Sequence, residues 1–472
     1  MRLFWHRRDL RLADNIGLAE AASGDTVVPV FVFDDDVLAH ASDARVRFML
    51  DALAEVRERY RERGSDLLAV RGDPAEALPG LAATHEADSV YWNVDYSGLA
   101  RERDSAVGRA LDEAGLGRET FHDAVHHEPG EITTNEGEPY SVYTYFWRKW
   151  RDRGKDAAVP APGADALADV SGDPLPAIDD LGFSEPDADV RTAGTATARE
   201  RLASFCDGPI FEYAESRDYP AREGTSRLST DLKWGTIGVR EVSEATADAA
   251  EEAAESGDDA AVESVEEFRS QLAWREFYEQ VLWANPNVVS ANFRSYEQPI
   301  GWREDDEDLR AWKEGRTGYP IVDAGMRQLR EEAYMHNRLR MIVASFLTKD
   351  LRIDWREGYA HFRDLLADHD TANDTGGWQW ADSTGTDAQP YFRVFNPVTQ
   401  GERYDPDAEY IRRYVPAFEG VPAEEIHGWT DLTGEQRERT ADHPHLIVDH
   451  SEAREAAIEM FERARGDGKE SD

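Results

Sequence analysis

The chain has 472 residues, 40% of them apolar and 10% aromatic, enough for more than one compact core, so two domains are expected. Residues 1–25 carry charges throughout, and no later apolar run is long enough to span a bilayer, which predicts a soluble cytoplasmic protein without a membrane partner. A single cysteine, Cys206, and the lack of any Cys or His cluster at zinc spacing exclude a disulfide scaffold and a zinc domain, and no metal site is predicted.

Acidic residues number 96 against 53 basic ones, giving a net charge of −43, and only six of the basic residues are lysines. Dense Asp and Glu hold water and ions at a surface where high salt screens their repulsion, so the composition fits a halophilic cytoplasm. The net charge argues against nucleic-acid binding, whose usual footprint is a basic patch, unless the arginines are concentrated locally.

In chain order, Arg2 to Trp5 and Val27 to Phe33 read as buried strands, a helical pattern follows from Val46 to Arg63, and strands recur at Leu67 to Val70 and Val90 to Trp92. This alternation predicts an α/β domain with a parallel, Rossmann-like sheet over residues 1–130, without the glycine fingerprint of a dinucleotide site. A Pro-, Ala- and Asp-rich stretch predicts a connector over 131–200. From Leu202 the apolar spacing becomes helical and tryptophan-rich, with helices predicted over Phe268 to Leu282 and Met335 to Leu351, so 201–465 is expected to be an all-helical domain ending in a charged tail at 466–472. Ser243 to Glu267 holds ten acidic residues and no basic one, a solvated helix face or a flexible insertion.

Three constellations carry chemistry. Thr225, Ser226, Arg227, Leu228 and Ser229 precede a predicted helix and suit either a phosphate or an ordinary helix cap. Asn337 and Met341 lie four apart on one helical face flanked by Arg338 and Arg340, a set able to meet a nucleobase and its phosphates, or to cap and fill a core. The run Asp368, His369, Asp370 to Asp374 and on to Trp378 and Trp380 is polar, then glycine-broken, then aromatic. Its acids could hold a ribityl chain or a ring N–H, ligate a metal, or cap a helix, and the two tryptophans point about 200° apart on a helix.

The runs DYPAREGTSRLS from Asp218, TGYPIVDAGMRQL from Thr317, MHNRLRMI from Met335, and GGWQW followed by STGTDAQPYFRVFNP from Ser383 resemble the flavin domain of the cryptochrome/photolyase family. The opening FWHRRDLRLADN resembles that family's antenna-binding domain. The resemblance covers residues 2 to 465 and implies a class I photolyase repairing cyclobutane pyrimidine dimers in ultraviolet-damaged DNA. It further implies FAD bound by Tyr213, Thr225 to Ser229, Arg340, Asp368, His369, Asp370 and Asp374, with Arg340 pairing Asp368. Trp378, Trp355 and Trp302 would form the electron-transfer chain, and Gln271, Trp274, Asn337, Met341 and Trp380 the lesion pocket. Arg217, Arg338, Arg393 and Gln400 would contact the DNA backbone.

Several residues depart from the family pattern. Gln271 stands where many cyclobutane enzymes have glutamate and leans toward the six-four branch, whereas Asn337 with Met341 follows the cyclobutane pattern. Asp374 replaces an asparagine facing the flavin, as in plant cryptochromes, and Asp382 stands where small residues are usual. The segment Asn93 to Asp104 lacks the Asn-Glu pair associated with folate, which favours 8-hydroxy-5-deazaflavin over methenyltetrahydrofolate as second chromophore. The alternatives are a cryptochrome-type photoreceptor, a six-four photolyase, or a DNA-binding module without catalysis; a monomer without an obligate protein partner is expected.

Overall fold

The computed structural model describes residues 1–466, so the charged tail at 466–472 lies outside the described residues apart from Gly466. Five parallel strands, β1 (Arg2–His6), β2 (Val27–Phe33), β3 (Leu68–Arg71), β4 (Ser89–Asn93) and β5 (Gly117–Phe121), form one sheet in the order β3-β2-β1-β4-β5. β2 (VVPVFVF) is buried along its whole length, as a central strand covered on both faces must be. Its Pro29 sits opposite Phe4 of β1, one residue before β3 begins to pair at Val30, so the missing N–H falls where one side of β2 has no neighbour. β5 is the strand that the sequence pattern did not predict: GRETF is polar and largely exposed because it is an edge.

The second half is helical. The acidic stretch is a helical hairpin, Val239–Ser256 followed by Asp259–Ala284, turning at Gly257 in the left-handed region (φ 71°), with Asp258 capping the second helix. Its acids are therefore a solvated helix face, and it is not an insertion. Met335 to Leu351 is not one helix: Asn337–Ser345 is α-helical, and Phe346–Asp350 then widens into a π-turn that buries Thr348, Lys349 and Asp350. The segment expected to be a connector contains the Tyr143–Asp152 helix, whose Tyr143, Phe146 and Trp150 pack on Ala273, Phe277 and Val281 of the Asp259–Ala284 helix. Part of the connector thus belongs to the helical core.

The polar residues of FWHRRDLRLADN dock one half on the other. Arg240 of the helical half reaches the carboxylates of Asp14 and Asp123, and Arg11 meets Asp123 at 2.6 Å, all buried. Gly235 ends the Ser229–Trp234 helix with φ 64°, and a Cβ there would overlap the backbone of Arg8 and Asp9, so only glycine permits this approach. Among the described residues, no helix is long and apolar enough to cross a membrane.

Candidate functional site

The loop entering the Thr371–Asp382 helix gathers the residues that the resemblance assigns to FAD. Asp370 is the N-cap, and its Oδ1 accepts from the Asn373 amide at 3.0 Å. Arg340 donates to both oxygens of Asp368 at 2.7 and 2.9 Å and approaches Asp374 at 3.5 Å, while its Nε donates to the Met335 carbonyl at 2.9 Å. Burial opposes the Arg340 charge, but Asp368 and Asp374 outweigh it and hold the guanidinium protonated. The second oxygen of Asp374 meets His369 Nδ1 at 2.6 Å and the Asp370 amide at 3.1 Å. Burial lowers the His369 pKa against the pull of Asp374. The predicted Arg340–Asp368 pair is thus present, and Asp374 and His369 join it.

Thr225 to Ser229 is not an ordinary cap. The N-cap of the Ser229–Trp234 helix is Leu228, with no side-chain cap bond. Ser226 Oγ accepts from the Leu228 amide at 3.4 Å, which leaves its own proton free to donate. Arg227 adopts φ 49°, meets Glu332 at 2.5 Å and lies 4.1 Å over Tyr334, with its buried Nε unpartnered. The half-exposed hydroxyls of Thr225 and Ser226 and the exposed one of Ser229, beside paired arginine and carboxylate, are chemistry that fits the phosphates and polar ring edge of FAD. Tyr213 is buried edge-on against Phe205 and Phe268 and covered by Arg217 at 5.3 Å.

Asn337 is neither a cap nor core. His336 caps its helix, accepting from the Arg338 amide at 3.2 Å, while Asn337 is exposed with its amide 3.8 Å from the Met341 sulfur. Gln271 is fixed on the Asp259–Ala284 helix: its Nε2 donates to Glu267 Oε1 at 3.2 Å and its Oε1 accepts from Arg217 at 3.3 Å. Trp274, three residues on, is stacked at 3.6 Å and 11° on Tyr143, whose hydroxyl donates to the Ser270 carbonyl at 2.5 Å. Trp380 is half-buried against the helical core.

Two of the arginines expected on DNA are already paired within the chain, Arg217 with Glu267, and Arg338 with Asp218 at 2.6 Å over Tyr404. Arg393 is exposed beside the exposed Phe392, and Gln400 is half-buried with its Oε1 unpartnered.

Two of the three tryptophans are buried and the third reaches the surface. Trp378 is buried, edge-on to Phe362 at 4.9 Å and to Trp312 at 6.1 Å. Trp355 is fully buried and donates to Asn292 at 3.0 Å. Trp302 is half-exposed, 5.9 Å from Phe461. Nearby, Lys349 Nζ donates to the Asp382 carbonyl at 2.8 Å and Ser383 Oγ at 3.0 Å while facing Phe461. Burial pushes Asp382 up to about 7 and Lys349 down to about 7. Lys349 thus caps the C-terminal end of this helix through the Asp382 main-chain carbonyl, while the Asp382 carboxylate accepts from Thr384 at 3.0 Å on Oδ2 and has Oδ1 buried without a partner.

A second polar cluster lies at the C-terminal ends of β1 and β4, where the strand order reverses and open α/β sheets hold ligands. Arg7 and Arg103 flank Trp5 at 4.9 and 5.1 Å. Arg7 meets Asp104 at 2.9 Å, and Arg103 meets Asp34 at 3.4 Å. Arg7 Nε and Nη2, Arg103 Nε and Asp104 Oδ1 remain buried without a partner. The sequence tied FWHRRDLRLADN and Asn93 to Asp104 to a second chromophore but did not join Arg7 to Asp104, and it assigned no individual role to Tyr143 or Arg8, because each depends on contacts distant in the chain.

Comparison with known proteins comes to the same place. Residues 2–163 match the family model described as DNA photolyase, and residues 268–463 match that of the FAD binding domain of DNA photolyase. The deoxyribodipyrimidine photo-lyase of Halobacterium salinarum is 62% identical, covering 99% of this chain and 100% of that protein. The crystal structure of a class III photolyase from Agrobacterium tumefaciens superposes with TM-score 0.90 at 35% identity, covering 98% of both chains. An archaeal photolyase from Sulfolobus tokodaii, solved with two FAD molecules, gives TM-score 0.81 at 31% identity over 98% of this chain and 99% of its own.

Proposed function

The chain belongs to the DNA photolyase family, and from that premise we propose that it binds FAD in the helical half and splits cyclobutane pyrimidine dimers in DNA under light. The observation that carries this reading is the carboxylate–guanidinium cluster of Asp368, Arg340 and Asp374 beside Asp370, at the start of the helix that bears both Trp378 and Trp380. When bound, reduced FAD supplies the photoexcited electron that opens the dimer and takes it back afterwards, so the reaction has no net redox change.

The residues of the chain provide position and electrostatics. Thr225, Ser226 and Ser229 would donate to the phosphates, with the buried Leu228 lining that segment, and Arg340 would neutralise charge beside the ring. Trp274, braced by Tyr143, offers a stacking surface to a base turned out of the duplex, and Gln271, Asn337 and Met341 complete the pocket. Turning out a damaged base costs a few kcal/mol, and stacking on aromatic side chains offsets about 1–3 kcal/mol per base. Because stacking does not depend on counterion release, it suits a protein whose net charge is −43. The half-exposed Trp302 and the buried Trp355 and Trp378 would serve as the path for electrons entering from outside.

The cluster of Arg7, Trp5, Arg103 and Asp104 is our candidate site for the second, light-harvesting chromophore, with 8-hydroxy-5-deazaflavin favoured: its buried donors are unsatisfied and its indole is flat-sided. We read the enzyme as a cytoplasmic monomer acting on damaged DNA without an obligate protein partner. The test of lesion class is a side-by-side assay on oligonucleotides carrying one cyclobutane dimer or one six-four photoproduct. Light-dependent restoration of the first alone supports the reading, and restoration of the second alone overturns it.

A further inference from the structure

The side chains of consecutive residues at the end of β1 diverge. Arg7 enters the polar cluster at the sheet crevice, whereas Arg8 crosses to the helical half. Arg8 Nε donates to the Lys233 carbonyl at 3.2 Å, Nη1 to Asp95 at 3.2 Å, and Nη2 to Asp370 Oδ2. Its backbone is held in place by the close approach of Gly235. Asp370 is therefore gripped from two sides, by its own helix cap on Oδ1 and by the other half of the molecule on Oδ2.

Arg8 is the side chain that reaches Asp370 Oδ2 from the other half of the molecule, while the charges of Arg275 and Lys233 act on Asp370 without a hydrogen bond to it. Asp95, Asp370 and Glu279 share this space, and Asp374 and Asp368 stand behind them. Arg275 donates to the carbonyls of Ala124 and Leu232, and Arg340 is committed to Asp368. Without Arg8, Asp370 keeps the charges of Arg275 and Lys233 but loses the hydrogen-bonded partner of Oδ2, in a buried setting where an unpaired carboxylate oxygen is costly.

We propose that Arg8 is a positioning residue for the flavin, so that the N-terminal half completes the FAD site by clamping Asp370. This rests on the reading that places FAD against Asp370. A mere pin between the two halves would make the same contacts, but it would affect the stability of the apoprotein and not its affinity for FAD.

The test is an FAD titration of flavin-stripped full-length protein, followed by flavin fluorescence, with apoprotein melting measured alongside. R8Q is expected to raise the Kd about 10-fold or more, the scale of a lost charge-assisted hydrogen bond. R8K, which keeps the charge but lacks the fork, should raise it about 3-fold and carries the test if R8Q does not fold. In a D370N background the further effect of R8Q should shrink below about 2-fold, since both changes break one contact. A Kd within 2-fold of wild type for R8Q and R8K, with or without a lower melting temperature, overturns the proposal. Wild-type apoprotein that binds no FAD overturns the flavin reading itself, and this inference with it.

Discussion

Gly358 and Trp378 meet where the Trp355–Leu365 and Thr371–Asp382 helices cross: a Cβ at Gly358 would overlap the Trp378 ring and lie 2.7 Å from Leu347. The absent side chain lets Trp378 settle onto the helix that Trp355 opens, three residues from that residue. G358A should therefore destabilise the protein by about 1–3 kcal/mol, as overpacking does. It should also slow light-driven reduction of bound oxidised flavin, followed by absorbance, and W378F should slow it too, at a stability cost of about 1–3 kcal/mol for trimming a buried ring. Unchanged photoreduction in both variants would remove Trp378 from the electron path.

Tyr143 braces Trp274 from behind. Y143A should weaken binding to dimer-containing DNA by about 5-fold, from the loss of about 1 kcal/mol of stacking support, and leave undamaged-DNA binding unchanged in a competition assay. Y143F keeps the ring, loses the bond to the Ser270 carbonyl and should stay within about 3-fold of wild type. Equal losses for damaged and undamaged DNA would contradict the bracing role.

Gln271 donates to the Glu267 carboxylate one turn before it. Replacing it by the glutamate common in cyclobutane enzymes removes that bond and sets two carboxylates four residues apart. Q271E should therefore lower dimer-DNA affinity by about 0.2–0.5 kcal/mol at low salt and less at high salt, where the added repulsion is screened. A salt-independent gain in affinity would show that the glutamine is not held by its neighbours.

Glu279 is buried with Oε1 unpartnered, and burial, aided by the Asp370 charge, pushes it up to about 8. The ordinary value in an unfolded chain is near 4.5. Between these two values the folded state keeps a proton that the unfolded state has released, so stability falls as pH rises through the window. E279Q does not titrate and should lose less stability than wild type between pH 5 and 8, measured by denaturant midpoints; parallel losses would refute the assignment.

Much of this was legible in the sequence because it is local. The buried strands β1 to β4 announce themselves as apolar runs, and the Arg340–Asp368 pair follows from matched motifs. β5 did not show, because GRETF is a polar edge strand whose pairing with β4 supplies the order that its composition does not. The π-turn at Phe346–Asp350 hid within a continuous helical pattern. Asp382 looked anomalous alone, and the lysine charge that acts on its buried carboxyl comes from Lys349, 33 residues earlier in the chain. The pairing of Arg217 and Arg338, both expected on DNA, with Glu267 and Asp218 did not show in the sequence because it is set by tertiary packing. Arg8 read as part of an N-terminal motif, yet its partner Asp370 lies 362 residues away.

The most direct test of the account is single-turnover repair: reduced, FAD-loaded protein in high-salt buffer, an oligonucleotide with one cyclobutane thymine dimer, counted near-ultraviolet flashes and a dark control, with products separated by chromatography. The account predicts intact thymines that accumulate with each flash and none in the dark. Bound, reduced FAD with no dimer opened by light would contradict it.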